Sequence, residues 1–247
     1  MRFDGKTALV TGGASPIGQA VARRLAAGGA NLALADVNSE ALEAVGAAIS
    51  PDALLSVGDL SDEAVANDFV HSAITRFGKV DILVNNAGGG VIEWTPDHTA
   101  TTIRQTIDRN LWTTIWTTRA ALPSMVENDY GRIVNIGADS VRNGLFMHAI
   151  YNAAKGGVHA IASGLAREYA RYDITVNVVA PCMVLTPQVI AAKKAGLPIV
   201  AEMEAVIPKG RSADPDEVAS MVSYLCLDEA RFVTGQVISV NGGSTMQ

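Results

Sequence analysis

The sequence predicts an α/β protein built on an open, doubly wound parallel sheet. Three observations carry this. Short, continuously apolar and β-branched runs alternate with longer amphipathic ones along the chain. The apolar runs lack the in-out alternation of half-exposed strands, which suits a parallel sheet covered by helices on both faces. No internal repeat or Pro/Gly/Ser-rich linker divides the 247 residues, so the strand-helix rhythm reads as consecutive βαβ units of one domain spanning 1–247.

Taken in order, Thr7 to Thr11 reads as the first strand and Ile17 to Ala27 as an amphipathic helix behind a glycine-rich turn. Strands at Asn31 to Ala35, Leu54 to Val57 and Val80 to Asn85 alternate with helices at Asn38 to Ala48, Asp62 to Phe77 and Ile103 to Val126. The second half continues with strand Arg132 to Ile136, helix Tyr151 to Arg171, strand Ile174 to Ala180, helix Asp216 to Leu227 and strand Gln236 to Val240. Between Cys182 and Arg211 the pattern is broken by Pro187, Gly196, Pro198 and Pro208, so 182–211 reads as an irregular segment covering a site. In such a sheet, ligands bind at the carboxyl ends of the strands.

Composition narrows the function. A hydrophobic fraction of 49% with 18% charged residues is that of an ordinary globular core. A formal charge of −6, a pI near 5.2 and no dense Lys/Arg block argue against nucleic acid and anionic membranes as partners, leaving a small molecule. Cys182 and Cys226 are far apart and lack ligand spacing, so neither a disulfide framework nor a metal site is expected. With no membrane-length apolar run and no signal-peptide core, a cytoplasmic location is expected.

Several motifs sit at predicted strand ends. The loop TGGASPIG, Thr11 to Gly18, suits a pyrophosphate cradle: its glycines permit close backbone approach, and a helix N-terminus follows. Gly12, Ser15, Ile17 and Gly18 are its candidate contacts. Pro16 stands where a glycine is expected, and one backbone N–H is lost there. Asp36 ends the second strand, placed to accept hydrogen bonds from an adenosine ribose and to repel a 2′-phosphate, which favours NAD over NADP. The alternative is that Asp36 or Asn38 merely caps the next helix. Asp59 and Leu60, in GDLSD, are positioned for adenine or else form a helix-entry turn; Asn86 and Gly88, in NNAG, let backbone lie against a flat ring or form a tight strand exit.

Tyr151 and Lys155 stand one helical turn apart on one face. A free tyrosine titrates near ~10. A neighbouring ammonium and an oxidised nicotinamide would favour the phenolate and make it a usable base.

The glycine loop, the acidic end of strand two, NNAG, Asn110 in DRNLW, Tyr151-x-x-x-Lys155, NVVAPCMVLT and FVTGQVISVNGG together resemble the short-chain dehydrogenase/reductase family from end to end. The resemblance implies a Rossmann-type sheet of about seven strands and a nicotinamide cofactor. It implies Tyr151 as proton donor and acceptor, Lys155 on the nicotinamide ribose, Asn110 in a water-linked proton path, and Val184 and Thr186 beside the carboxamide. Cys182 departs from the family's usual glycine. A homotetramer follows from the same resemblance.

One family residue is missing. A serine is expected thirteen residues before the tyrosine, where this chain has Ala138. Three explanations stand open: Ser140, two residues on, supplies the hydroxyl; Asp139 serves a diol or hydroxy acid; or Tyr151 acts with water and Asn110 alone. Ser140 is the favoured of the three. Gly88 to Gly90, Trp94, Arg142, Phe146, Met147, His148 and Met183 suggest an apolar, ring-sized pocket, with Arg142 a candidate partner for a substrate carboxylate and His148 a candidate substrate contact. The segment from Asn135 to Ala160 is similar to that of dehydrogenases that oxidise cis-dihydrodiols of aromatic carboxylates, p-cumate among them, to catechols. A ketoacyl reductase and a non-catalytic dinucleotide sensor are the competing readings.

Overall fold

The seven strands form a single all-parallel sheet in the order β3-β2-β1-β4-β5-β6-β7, with β1 (Thr7–Thr11), β2 (Asn31–Asp36), β3 (Leu54–Val57), β4 (Ile82–Asn85), β5 (Gly131–Ile136), β6 (Ile174–Pro181) and β7 (Val237–Val240). The computed structural model describes residues 2–246; Met1 and Gln247, the ends of the expected 1–247 domain, lie outside the described residues. The strand order reverses direction between β1 and β4, which opens a crevice at the carboxyl edge.

Helices α1 (Pro16–Ala27), α2 (Ser39–Ile49) and α10 (Pro215–Leu225) cover one face, and α3 (Glu63–Phe77), α5 (Thr113–Glu127) and α7 (Ala149–Glu168) the other. Successive strand residues point to opposite faces. Accordingly Val10, Leu34, Val84 and Val134 enter the first core, and Leu9, Ala33, Leu83 and Ile133 the second. Each fully buried leucine contributes about 1.5–3 kcal/mol. This double burial is why the strands read as continuous apolar runs.

Two expectations need correction. The long helix expected over 103–126 is α4 (Ala100–Ile107), a π turn at Asp108–Trp112 and then α5. The segment 182–211 is not irregular, since it contains α8 (Pro187–Lys194) and α9 (Pro198–Ala205). Pro187 and Pro198 begin these helices instead of breaking them, because proline's missing N–H is unneeded in a first helical turn.

Candidate active site

The crevice at the switch point is a cavity of about 1280 Å³, walled by residues after β1, β2, β3, β4, β5 and β6 together with α7 and the α8–α9 pair. At one end lies the glycine loop. Gly12 has φ +62°, and a side chain there would bring its Cβ to 2.8 Å from Asn86 Nδ2. A Cβ on Gly18 would sit 2.1 Å from the Gly12 carbonyl oxygen. Both positions therefore need glycine for close backbone packing. Ser15 caps α1, accepting the Gly18 N–H at 3.2 Å and donating to the Gly12 carbonyl at 2.8 Å. Pro16 is the first helical residue, so its lost N–H leaves the loop intact. Gly12, Ser15 and Ile17 line the cavity, while Gly18 lies beneath it. Asn86 also lines it, yet its amide braces the loop by donating to Gly12 O at 2.8 Å and Ser15 Oγ at 2.9 Å.

Asp36 accepts the N–H groups of Ala14 and Asn38, each at 3.0 Å. Asn38 caps α2 and Asp62 caps α3, so neither Asp36 nor Asp59 serves as a helix cap. Asp36, Asp59 and Leu60 line the same cavity.

Tyr151 and Lys155 both reach the cavity from α7. Lys155 is buried and donates to the Ile136 carbonyl at 2.7 Å. Burial pushes the Tyr151 phenol up to about 12 and the Lys155 ammonium down to about 8, each shift opposing charge in a desolvated site. The exit of β4 runs along both side chains: a Cβ on Gly88 would lie 3.1 Å from Lys155 Nζ, and one on Gly90 2.8 Å from Tyr151 Cδ2. Asn110, fully buried in the π turn, secures that exit. Its Nδ2 donates to Gly89 O at 2.9 Å and Thr106 O at 2.7 Å, and its Oδ1 accepts the Gly89 N–H at 3.2 Å. The side chain of Asn110 is thus engaged in positioning the loop.

At the end of β5 the chain does not stay extended. It turns into the short α6 (Ser140–Asn143), with the Arg142 N–H donating to Asp139 O at 2.9 Å. Ala138 lines the cavity, and its N–H donates to His159 Nε2 at 3.2 Å. Burial, then the charges of Arg142 and Lys155, push His159 down to about 4, so it stays neutral as the acceptor. Ser140 also lines the cavity, but its hydroxyl donates to Asn152 Oδ1 at 2.6 Å. Asp139 also lines the cavity, with its carboxylate held by the protein. Its carboxylate accepts from Asn241 Nδ2 at 3.0 Å, Asn143 Nδ2 at 3.2 Å, Thr245 Oγ1 at 2.9 Å and Ser244 Oγ. Arg142, expected as a partner for a substrate carboxylate, donates to Ser239 Oγ and the Val237 carbonyl at β7 and does not line the cavity. Trp94, Phe146 and Met147 are likewise outside the lining.

His148 does reach the cavity, edge-on to Tyr151 with ring centroids 5.9 Å apart. Val184, held in a bridge to Ala213, and Thr186, the cap of α8, line the end nearest β6. Sequence reasoning missed Leu145, Met203, Val206, Ile207 and Ser244, along with the polar lining residues Arg109, Asn143 and Gln188. The first four give the wall an apolar character, and Ser244 arrives only because the C-terminal segment folds back onto Asp139.

A family model described as enoyl-(acyl carrier protein) reductase matches residues 12–245. The chain is 52% identical, over 99% of its length and 96% of the relative's, to 2,3-dihydroxy-2,3-dihydro-p-cumate dehydrogenase of Pseudomonas putida. The chain belongs to the short-chain dehydrogenase/reductase family. It is also 35% identical, over 98% of this chain and 97% of the relative, to 1,6-dihydroxycyclohexa-2,4-diene-1-carboxylate dehydrogenase of Acinetobacter baylyi. The crystal structure of levodione reductase superposes with a TM-score of 0.91 at 35% identity, covering 98% of each chain. As a short-chain dehydrogenase/reductase the protein is an oxidoreductase acting on CH–OH groups with a nicotinamide dinucleotide. Its cavity fits that cofactor: the glycine loop clears the backbone for a pyrophosphate, and the buried Lys155 and Tyr151 stand where β4 and β5 end. Among the described residues no helix is long and apolar enough to cross a membrane, and no cluster of His, Cys, Asp or Glu suits a metal ion.

Proposed function

We propose that the protein oxidises a cis-dihydrodiol of a ring, of the kind derived from an aromatic carboxylate, with NAD as oxidant. The observation that carries this is the 52% identity, over nearly the whole chain, to a p-cumate dihydrodiol dehydrogenase. The apolar residues Leu145, Met183, Met203, Val206 and Ile207, in the cavity that Tyr151 also lines, agree with a flat hydrocarbon ring.

Bound NAD supplies the acceptor for the hydride leaving the carbinol carbon. Tyr151 takes the hydroxyl proton, and Lys155, tethered to Ile136, holds the ribose and supports the phenolate. Asp36 accepts from the adenosine ribose and excludes a 2′-phosphate. Gly12, Ser15, Ile17, Asp59, Leu60, Asn86, Gly88, Val184 and Thr186 complete the cofactor contacts, and Asn110 acts by holding the loop after β4. The oxidised carbon becomes a ketone that enolises to a catechol, so rearomatisation favours oxidation.

Ser140 belongs to this reading as the substitute hydroxyl, its proton turning from Asn152 Oδ1 to the reacting oxygen when substrate binds. A homotetramer in the cytoplasm also belongs to it. The exposed Phe232, at 98%, and the stacked pair Trp112 and Trp116 support packing against further copies.

The test is incubation with NAD and a panel of cis-dihydrodiols, following absorbance of the reduced cofactor. Rapid reduction by dihydrodiols of aromatic carboxylates is expected. No reduction by any cyclic diol, or faster reduction of acetoacetyl thioesters with NADPH, overturns the reading.

A further inference from the structure

The tautomer of His148 is set by the backbone. Its Nδ1 lies 2.8 Å from the Phe146 carbonyl oxygen, which can only accept, so in the neutral ring Nδ1 carries the proton and Nε2 presents a lone pair. Among the described residues Nε2 has no hydrogen-bond partner, and it is not one of the sealed polar atoms. The ring is 8% exposed, and it forms part of the cavity wall. Its contact with Tyr151 is edge-on, the planes meeting at 79°.

Of the polar side chains that follow β5 on the cavity wall, two are held by the protein and Asn143 keeps only a sealed Oδ1, while His148 sets an open Nε2 beside the Tyr151 ring. Ala138 has no hydroxyl, Ser140 donates to Asn152, and Asp139 is taken by the C-terminal segment. A substrate with one hydroxyl at Tyr151 therefore meets an open acceptor beside it. An acceptor of this kind discriminates, because a ligand lacking the matching O–H leaves it unpaired in a desolvated site.

We propose that His148 reads the second hydroxyl of the diol: while Tyr151 takes the proton of the reacting carbinol, the neighbouring cis hydroxyl donates to His148 Nε2. The protein would then select vicinal diols over cyclic monoalcohols through a residue three before the tyrosine, in a site without the usual serine. This inference rests on the diol reading above.

The experiment compares the full-length wild type with His148→Phe and His148→Gln in the presence of NAD. Phenylalanine keeps an aromatic edge against Tyr151 without an acceptor, and glutamine restores an acceptor oxygen. The probes are a cis-dihydrodiol of benzene and cyclohex-2-en-1-ol, with NAD affinity as the folding control. In His148→Phe, kcat/KM for the diol is expected to fall about tenfold more than for the monoalcohol, mainly through KM. His148→Gln is expected to stay within about threefold of wild type in that ratio, and the pH midpoint of kcat to remain in place. An equal fall on both alcohols, a moved pH midpoint, or a glutamine variant as impaired as the phenylalanine one overturns the proposal. Failure of the wild type to oxidise the diol overturns the diol reading and this inference with it; wild-type diol oxidation without selective loss overturns the inference alone.

Discussion

The Lys155 ammonium donates to the carbonyl oxygen of Ile136, the last residue of β5, at 2.7 Å. A flexible side chain is thereby fixed to the rigid edge of the sheet, one helical turn from Tyr151. The tether holds the charge where a phenolate would form. It also keeps that charge in a desolvated place, which is costly.

The pH dependence follows from this balance. Burial alone raises Tyr151 to about 12 and lowers Lys155 to about 8, so desolvation favours a neutral phenol. Alcohol oxidation needs the phenolate, which forms as pH rises, so kcat for oxidation should climb about tenfold per pH unit below the apparent pKa of the coupled pair. Initial rates from about pH 6 to about pH 10 check this, and a flat profile contradicts it. Tyr151→Phe should lower kcat by about 10²–10⁴ while NAD still binds.

The glycine loop tolerates no side chain at its base. In Gly18→Ala the new Cβ meets the Gly12 carbonyl at 2.1 Å, and backbone must move. A cost of about 1–3 kcal/mol is expected, appearing as a loss of several degrees in Tm. Because the displaced atoms form the cradle, NAD affinity should fall by about tenfold or more. Calorimetric titration and thermal melting measure both, and unchanged affinity would remove the loop from the pyrophosphate site.

Asp36 both braces Ala14 and faces the cavity. Asp36→Asn keeps an acceptor for one of its two N–H donors and removes the negative charge. The preference for NAD over NADP in kcat/KM should fall at least about tenfold, mostly by better use of NADP. An unaltered ratio would assign the discrimination to another residue.

Asp139 gathers the C-terminal segment. Asp139→Ala would remove one acceptor each from the Asn241 and Asn143 amides and the acceptor of the Thr245 hydroxyl. A destabilisation of about 3 kcal/mol is expected, together with a raised KM as Ser244 leaves the cavity wall. Thermal melts with and without NAD test it, and a Tm equal to wild type would show the network to be dispensable.

All seven strands could be read from the sequence: β1, β2, β4, β5 and β6 are buried on both faces and carry continuous apolar runs, and the partly buried edge strands β3 and β7 keep short apolar runs of their own. The Tyr151–Lys155 pair was legible for a similar reason, since spacing alone puts them on one helix face. The α8 and α9 helices were not. Their faces are only partly buried, with Val200 the one fully buried residue of the pair, and their prolines resemble loop signals. The π turn that seats Asn110 was hidden inside an unbroken helical pattern.

The sequence by itself determined the sheet, the glycine loop, the acidic end of β2 and the acid/base pair, since each depends on residues within a few positions of one another. Only the tertiary structure decided what surrounds the absent serine. Arg142 turns to Ser239, 97 residues away, and Asp139 binds Thr245, 106 residues away. His159 supports Ala138 from beneath, and Ser140 gives its proton to Asn152. Those partners meet because β6 and β7 are stacked in order beside β5 and α7 packs across the sheet. Side-chain direction at a strand end is set by whichever donors and acceptors the sheet brings there, and local periodicity carries no record of them.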